Sequence, residues 1–236
     1  MILVLIGSFL LMLPSATTNG ITFTNALFTA TSAVCVTGLT VVDTAVDFTI
    51  VGQSIIIVLI QLGGIGILTF TSFFSFFFRS SSSFKEGLNI RDFIANDGLK
   101  DVFRAALNVV VFTLGVELVG ALFIYSSIVD NAIIEHKFYF SLFHSISAFC
   151  NAGFSTLPGG ILNTTVKFNY YLQWILMLMI ILGGLGHNIV FNFFHYLKTY
   201  CFELFDKKVI HKKVRIITLN TKIVLYTTII LLVGGT

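Results

Sequence analysis

Two short segments of this chain carry little side-chain chemistry, yet their residue types suit the holding of a desolvated cation by backbone carbonyls. Residues 32–40 read SAVCVTGLT and residues 147–155 read SAFCNAGFS. Ser32, Ala33, Cys35 and Gly38 match Ser147, Ala148, Cys150 and Gly153 at a constant offset of 115 residues, and Phe28 matches Phe143 at the same offset. Glycine takes φ > 0 without steric penalty, so around Gly38 or Gly153 successive carbonyls can turn to one side and replace an ion's hydration shell. Side chains between the matched positions then matter little, which is why VTG and NAG can do one job. The candidate ion-binding residues are Cys35, Val36, Thr37 and Gly38 with Cys150, Asn151, Ala152 and Gly153, acting through their backbones.

A second signature follows each copy, GGIG at residues 63–66 and GGLG at residues 183–186, offset by 120. Neither completes GxGxxG or follows a strand pattern, so a nucleotide-binding role is set aside. Gly63, Gly64, Gly66, Gly183, Gly184 and Gly186 are read as helix-packing positions, since small residues let backbones approach in lipid. Glu117 is the one carboxylate deep in an apolar run, and either binds a coupling ion or ties its helix to a neighbour; its place on an outer helix favours the tie. His187 and His195 are eight residues apart, whereas metal pairs on a helix want four, and His144 reads as packed or hydrogen-bonded. No nucleophile-and-base arrangement has motif context, so an enzyme is not expected. Nor is a cofactor, or any metal but the transported cation itself.

These residues need elements to position them, and the composition says in what solvent. Apolar residues make up 56% and charged residues 11% of the chain, proportions foreign to a water-soluble globule. Residues 1–42, 48–78, 138–166 and 168–197 contain no Asp, Glu, Lys or Arg. Runs 48–78 and 168–197 exceed the roughly 20 residues that cross a bilayer core. Of 14 Lys and Arg, five lie in 79–104 and seven in 198–222, which places both connections in the cytoplasm by the positive-inside rule. Residues 129–167 must then begin and end outside, although 139–150 is apolar and too short to span. A half-helix entering from outside and a loop climbing back satisfies both conditions, and residues 22–34 have the same character. The C-terminal end of such a half-helix points unpaired carbonyls at the midplane, where they attract a cation. Asp43, Asp47, Asp130 and Glu135 fall on the outer side and give a mildly negative mouth.

The expected fold is an all-α membrane protein of two tandem pore repeats, parallel and related by an axis along the membrane normal. Repeat one covers residues 1–79, with outer helix 1–13, half-helix 22–34, filter loop 35–39 and inner helix 48–78. A cytoplasmic connection takes 80–104. Repeat two covers 105–198, with outer helix 105–128, half-helix 139–149, filter loop 150–154 and inner helix 168–197. A basic cytoplasmic connection over 199–215 precedes the start of a third outer helix at 216–236. The first apolar stretch lacks the positive n-region of a signal peptide and is read as a spanning helix cut at its start. The cluster Lys207, Lys208, Lys212, Lys213 and Arg215 could grip anionic lipid or an accessory ring, though positive-inside bias alone accounts for it.

At this point the residues resemble a known family. SAVCVTGLTVVDTAVDFT followed by GQSIIIVLIQLGGIGILTF, and SAFCNAGFSTLPGG followed by ILGGLGHNIVF, are similar to the first two pore repeats of the TrkH/KtrB/HKT superfamily of potassium transporters, most closely its KtrB branch. The resemblance implies four repeats around one pore and a glycine from each at the filter, potassium rather than sodium as the transported ion, with sodium a candidate coupling or activating ion, and a multi-pass protein of the bacterial plasma membrane. It also implies a homodimer of pore subunits on a cytosolic nucleotide-binding ring, with the lipid bilayer as surroundings and no nucleic acid. On this reading the chain is a fragment holding two of four repeats. The alternative is a non-conducting scaffold or assembly subunit.

Overall fold

The computed structural model of the chain describes residues 1–81, 98–129, 134–186, 189, 190, 192 and 219–234. The described residues form helices and turns without a strand, apart from a lone antiparallel bridge between Thr17 and Phe48. They divide into two compact units, Met1–Gly184 and Leu185–Thr236.

In the first unit, α1 (Ile2–Leu11) is followed by the short α2 (Phe23–Val34) and the long α3 (Ile50–Ser81). After them α4 (Gly98–Ile128) is followed by the short α5 (Lys137–Phe149), a single 3-10 turn at Gly160–Leu162 and α6 (Tyr170–Leu185). The order long, short, loop, long therefore occurs twice. The Thr22 side chain caps α2 by accepting from the Asn25 amide at 3.4 Å, satisfying one of the orphan donors at a helix start. Alanines make α2 thin on one side: Ala26, Ala30 and Ala33 are fully buried against Leu11, Ile56 and Ile60. A second core gathers Ile124, Ile128, Phe149, Leu172, Leu176 and Met179. Phe143, Ile146, Ala152 and Phe154 pack into the first core although they come from the second copy, so the two copies share an interior.

Helix α4 is inside out by the standards of a water-soluble protein. Thr113 and Glu117 are buried with Val109, Ala121, Ile124 and Ile128, while Val111, Leu118, Leu122 and Phe123 lie exposed on the other faces. The most apolar 18 residues of its stretch Ala106–Ile128 have a mean hydropathy of 2.2, and the whole stretch has 23 residues. At 1.5 Å per residue that is about 35 Å, enough to cross a bilayer core. Shorter apolar helices occur at Ile2–Leu11, Ile50–Gly66, Tyr170–Leu185 and Thr221–Gly234.

Two helix ends differ from the sequence reading by more than three residues. Helix α4 begins at Gly98, inside the connection expected over 80–104, because Leu99, Val102 and Phe103 continue the apolar pattern toward the chain's charged residues. The inner helix expected unbroken over 168–197 stops at Leu185, where Gly186 takes φ +76, the left-handed conformation that ends helices. In the second unit α7 spans Leu219–Gly234, and the Thr227 and Thr228 hydroxyls donate back to carbonyls of the preceding turn. His187, His195, Asp130, the basic residues at 207–215 and most of the 80–104 connection lie outside the described residues.

Candidate functional site

The two glycine-bearing loops have the same backbone, bond for bond. After α2, the amides of Cys35, Val36 and Thr37 donate to the carbonyls of Thr31, Ala33 and Ser32 at 2.8, 3.2 and 3.0 Å. After α5, the amides of Cys150, Asn151 and Ala152 donate to Ile146, Ala148 and Ser147 at 2.9, 3.0 and 2.7 Å. Every partner is displaced by the same 115 residues that separate the sequence motifs. Left-handed residues also alternate identically: Val36 and Gly38 have φ of +55 and +72, Asn151 and Gly153 have +59 and +72. The glycines are thus used for the conformation only glycine adopts freely. That a valine and an asparagine adopt it two residues earlier was not foreseen from the sequence, and the asparagine, tolerant of this region, was the one signal that could have shown it.

The loops face one another at close range. A Cβ at Gly38 would run into the Ala152 carbonyl oxygen, and one at Gly153 would lie 3.6 Å from the Gly38 Cα. Beside them opens a cavity of about 360 Å³ lined by both glycines, Thr40, Asp43, Thr44 and Ser155. Asp43 links the copies: its carboxylate accepts from the Ala45 amide at 2.8 Å and from the Gly159 amide at 3.3 Å. A carboxylate held at the mouth of a cavity with backbone-lined walls favours cations over anions.

The packing glycines divide by neighbour. Cβ atoms at Gly63 and Gly183 would strike the carbonyl oxygens of Val34 and Phe149, the last residues of α2 and α5, so each long helix lies against the end of the short helix of its own copy. At Gly64 a Cβ would meet the Cys150 sulfur at 2.6 Å, a contact across copies. Among the described residues Gly184 has only the Asn151 amide at 3.9 Å, and Gly66 and Gly186 have nothing within 4 Å. Small residues are therefore spent on close approach at the first glycines of each motif and not at the last.

Three further side chains support the second loop. His144, buried in α5, holds the Phe140 carbonyl with Nδ1 at 2.9 Å and the Ser155 hydroxyl with Nε2 at 2.9 Å. Ser147 Oγ donates to the Phe154 carbonyl at 2.7 Å. Cys150 lies 3.8 Å from a carboxylate oxygen of Glu117. Among the described residues no cluster of His, Cys, Asp or Glu could hold a metal ion.

Helices clad in exposed aliphatic side chains around a buried carboxylate, one of them long and apolar enough to cross a bilayer core, are those of a membrane protein. The chain belongs to the TrkH family of cation transport proteins, whose pattern matches residues 2–236. It is similar to the potassium/sodium uptake protein NtpJ of Enterococcus hirae, with 32% identity over 99% of this chain and 49% of that protein. It also resembles the Ktr system potassium uptake protein B of Bacillus subtilis, at 35% identity over 80% of this chain and 42% of that one. The protein of the same name from Vibrio alginolyticus is 31% identical over 96% of this chain and 47% of its own length. The chain thus spans about half the length of the curated relatives it matches. The family is one of transporters rather than of enzymes.

Proposed function

We propose that this chain provides two sides of a potassium uptake pathway of the Trk/Ktr type, with the backbones of residues 35–38 and 150–153 as walls of its ion filter. The observation that carries the reading is the duplicated loop, with left-handed residues at 36, 38, 151 and 153, set glycine against glycine beside a cavity that Asp43 lines. Backbone carbonyls turned by that alternation replace water around a dehydrated cation, and the carbonyl-bearing ends of α2 and α5 add negative potential. On this reading α2 and α5 are re-entrant half-helices, at 12 and 13 residues about 18–20 Å long and unable to cross the core. The loops return to the outer face, the two copies are parallel repeats, and the protein is a multi-pass component of the bacterial plasma membrane. The names of these three relatives all contain potassium, with sodium beside it in one, and the reading carries with it, from the family resemblance, a homodimer of pore subunits working with a cytosolic nucleotide-binding ring.

Growth at limiting potassium tests this in cells without potassium uptake, with the chain expressed alone and joined to its downstream reading frame. Rescue by the extended form is expected, and rescue by that form alone identifies the present chain as a non-conducting part. In the extended form Gly38→Ser and Gly153→Ser should each lower the preference for potassium over sodium. Unchanged preference in both would remove the filter assignment.

A further inference from the structure

The filter reading leaves a buried carboxylate without a task. Glu117 is 2% exposed in the middle of α4, and an ionisable group so placed in an apolar helix calls for specific partners. Its oxygens have two different ones. Oε2 accepts from Gln61 Nε2 of α3 at 2.8 Å, and Oε1 accepts from the Cys150 thiol at the start of the second loop, at a sulfur distance of 3.8 Å. The backbone carbonyl of the same residue accepts from Ser145 Oγ of α5 at 2.6 Å. Glu117 therefore joins the long helix of the first copy to the short helix and loop of the second. The bare Gly64, one turn on from Gln61, lets α3 lie against the same sulfur.

Among the described residues the first copy has no counterpart. A Cβ at Gly7 would meet Leu59 and Ala30, and one at Gly120 would meet Met179 and Ser145, so Gly7 and Gly120 hold corresponding places. Three residues before each stand Val4 and Glu117. Cys35, which matches Cys150, is exposed. Among the described residues, only the second loop has a carboxylate fastening its first residue.

We propose that Glu117 is a positioning residue for the second loop, fixing Cys150 against Gln61 and thereby the direction of the carbonyls at 150–153, so that it governs ion selectivity as well as folding. This rests on the reading of 150–153 as a filter wall. A carboxylate that merely held helices together would change the amount of folded protein and leave selectivity alone. One that held a coupling ion would change sodium stimulation of uptake.

The test uses the full-length chain containing this sequence, with potassium and sodium uptake measured per folded protein. For Glu117→Ala and for Cys150→Ala the potassium-to-sodium ratio should fall about tenfold, the effect of losing a buried hydrogen bond to a charged group. Glu117→Gln keeps the shape, and Gln61, whose Oε1 has no partner among the described residues, can turn its amide to accept from the new one and leave the new oxygen to the thiol, so the ratio should stay near the original. The double exchange Gln61→Glu with Glu117→Gln reverses donor and acceptor between α3 and α4 and also leaves the amide oxygen to the thiol, so it too should keep the ratio near the original. Glu117→Leu offers an acceptor to neither partner, and the ratio should fall about tenfold, so if the alanine variant does not fold, Glu117→Leu and Cys150→Ala still decide. An unchanged ratio in well-folded Glu117→Leu and Cys150→Ala, or loss of sodium stimulation with an unchanged ratio, overturns the proposal. Gly153→Ser separates the two readings: if it too leaves the ratio unchanged, the filter assignment has failed, whereas a lowered ratio there alone leaves the filter standing and Glu117 without its role.

Discussion

The loops after α2 and α5 share a backbone and differ in almost everything that holds it. Loop two is fastened by Cys150 to Glu117, by Phe154 to Ser147 and by Ser155 to His144. In loop one the Thr37 hydroxyl lies 3.1 Å from Ser32 Oγ, and Thr29, which matches His144, buries a hydroxyl with no partner among the described residues. A conformation set by glycine and by half-helix amides can thus be kept while the side chains around it drift. What must be the same in both copies is the set of backbone dihedrals, and what may differ is the scaffolding.

The sharpest way to break the likeness is at the glycines. Gly38 and Gly153 share φ +72, so alanine strains both, but only at Gly38 would the new Cβ strike the backbone of the other loop. Gly38→Ala should lower potassium uptake about a hundredfold, strain and overlap together, and Gly153→Ala about tenfold, from strain alone. Equal losses in an uptake assay would mean that the apposition of the loops does not matter. A smaller effect is expected at the helix contacts. Gly63→Ala and Gly183→Ala force a Cβ against the Val34 and Phe149 carbonyls and should destabilise by about 1–3 kcal/mol, whereas Gly66→Ala, with open space in the interior of α3, should stabilise by about 1 kcal/mol. Thermal unfolding in detergent ranks the three.

How much of this was legible follows from what each feature depends on. Gly38 and Gly153 could be found because a recurring motif isolates them and their conformation depends on a few adjacent residues. The glycine motifs could be found too, but not that Gly63 and Gly183 touch backbone while Gly66 and Gly186 do not, since that depends on which side of the helix faces the half-helix. Gln61 gave no signal at all. A glutamine in an apolar run gains meaning only when α3 packs on α4 and places it 2.8 Å from Glu117, 56 residues later. The break at Gly186 was likewise invisible, because GGIG runs through α3 without interruption and the two motifs differ by a single aliphatic side chain.

His144 and Thr29 offer a finer test of unequal support. His144→Ala removes the strut to Ser155 and leaves the serine hydroxyl with the Leu157 amide alone, so the potassium concentration for half-maximal uptake should rise about threefold. Thr29→Ala removes a hydroxyl that satisfies nothing, and uptake should be unchanged with stability equal or slightly higher. The opposite ranking would mean that the first loop carries the tighter constraint.

The smallest effect is expected at the non-glycine left-handed positions, and here two terms compete. An L residue in this region gives up about 1–2 kcal/mol, less for asparagine, and a β-branched side chain is the least tolerant. On that ground Val36→Asn should stabilise and Asn151→Val should destabilise. Val36, however, also packs against the first core, and its replacement withdraws a half-buried aliphatic surface. Asn151 is exposed and belongs to neither core, its amide lying only against the bare Gly183 and Gly184 of α6. The exchange at 151 should therefore show the full backbone effect, a fall in Tm of about 2–4 °C for roughly 1 kcal/mol in a chain of this size. The exchange at 36 should show a rise smaller than that. If Tm instead falls at 36, packing outweighs the dihedral in loop one, and the valine is retained for the core it covers.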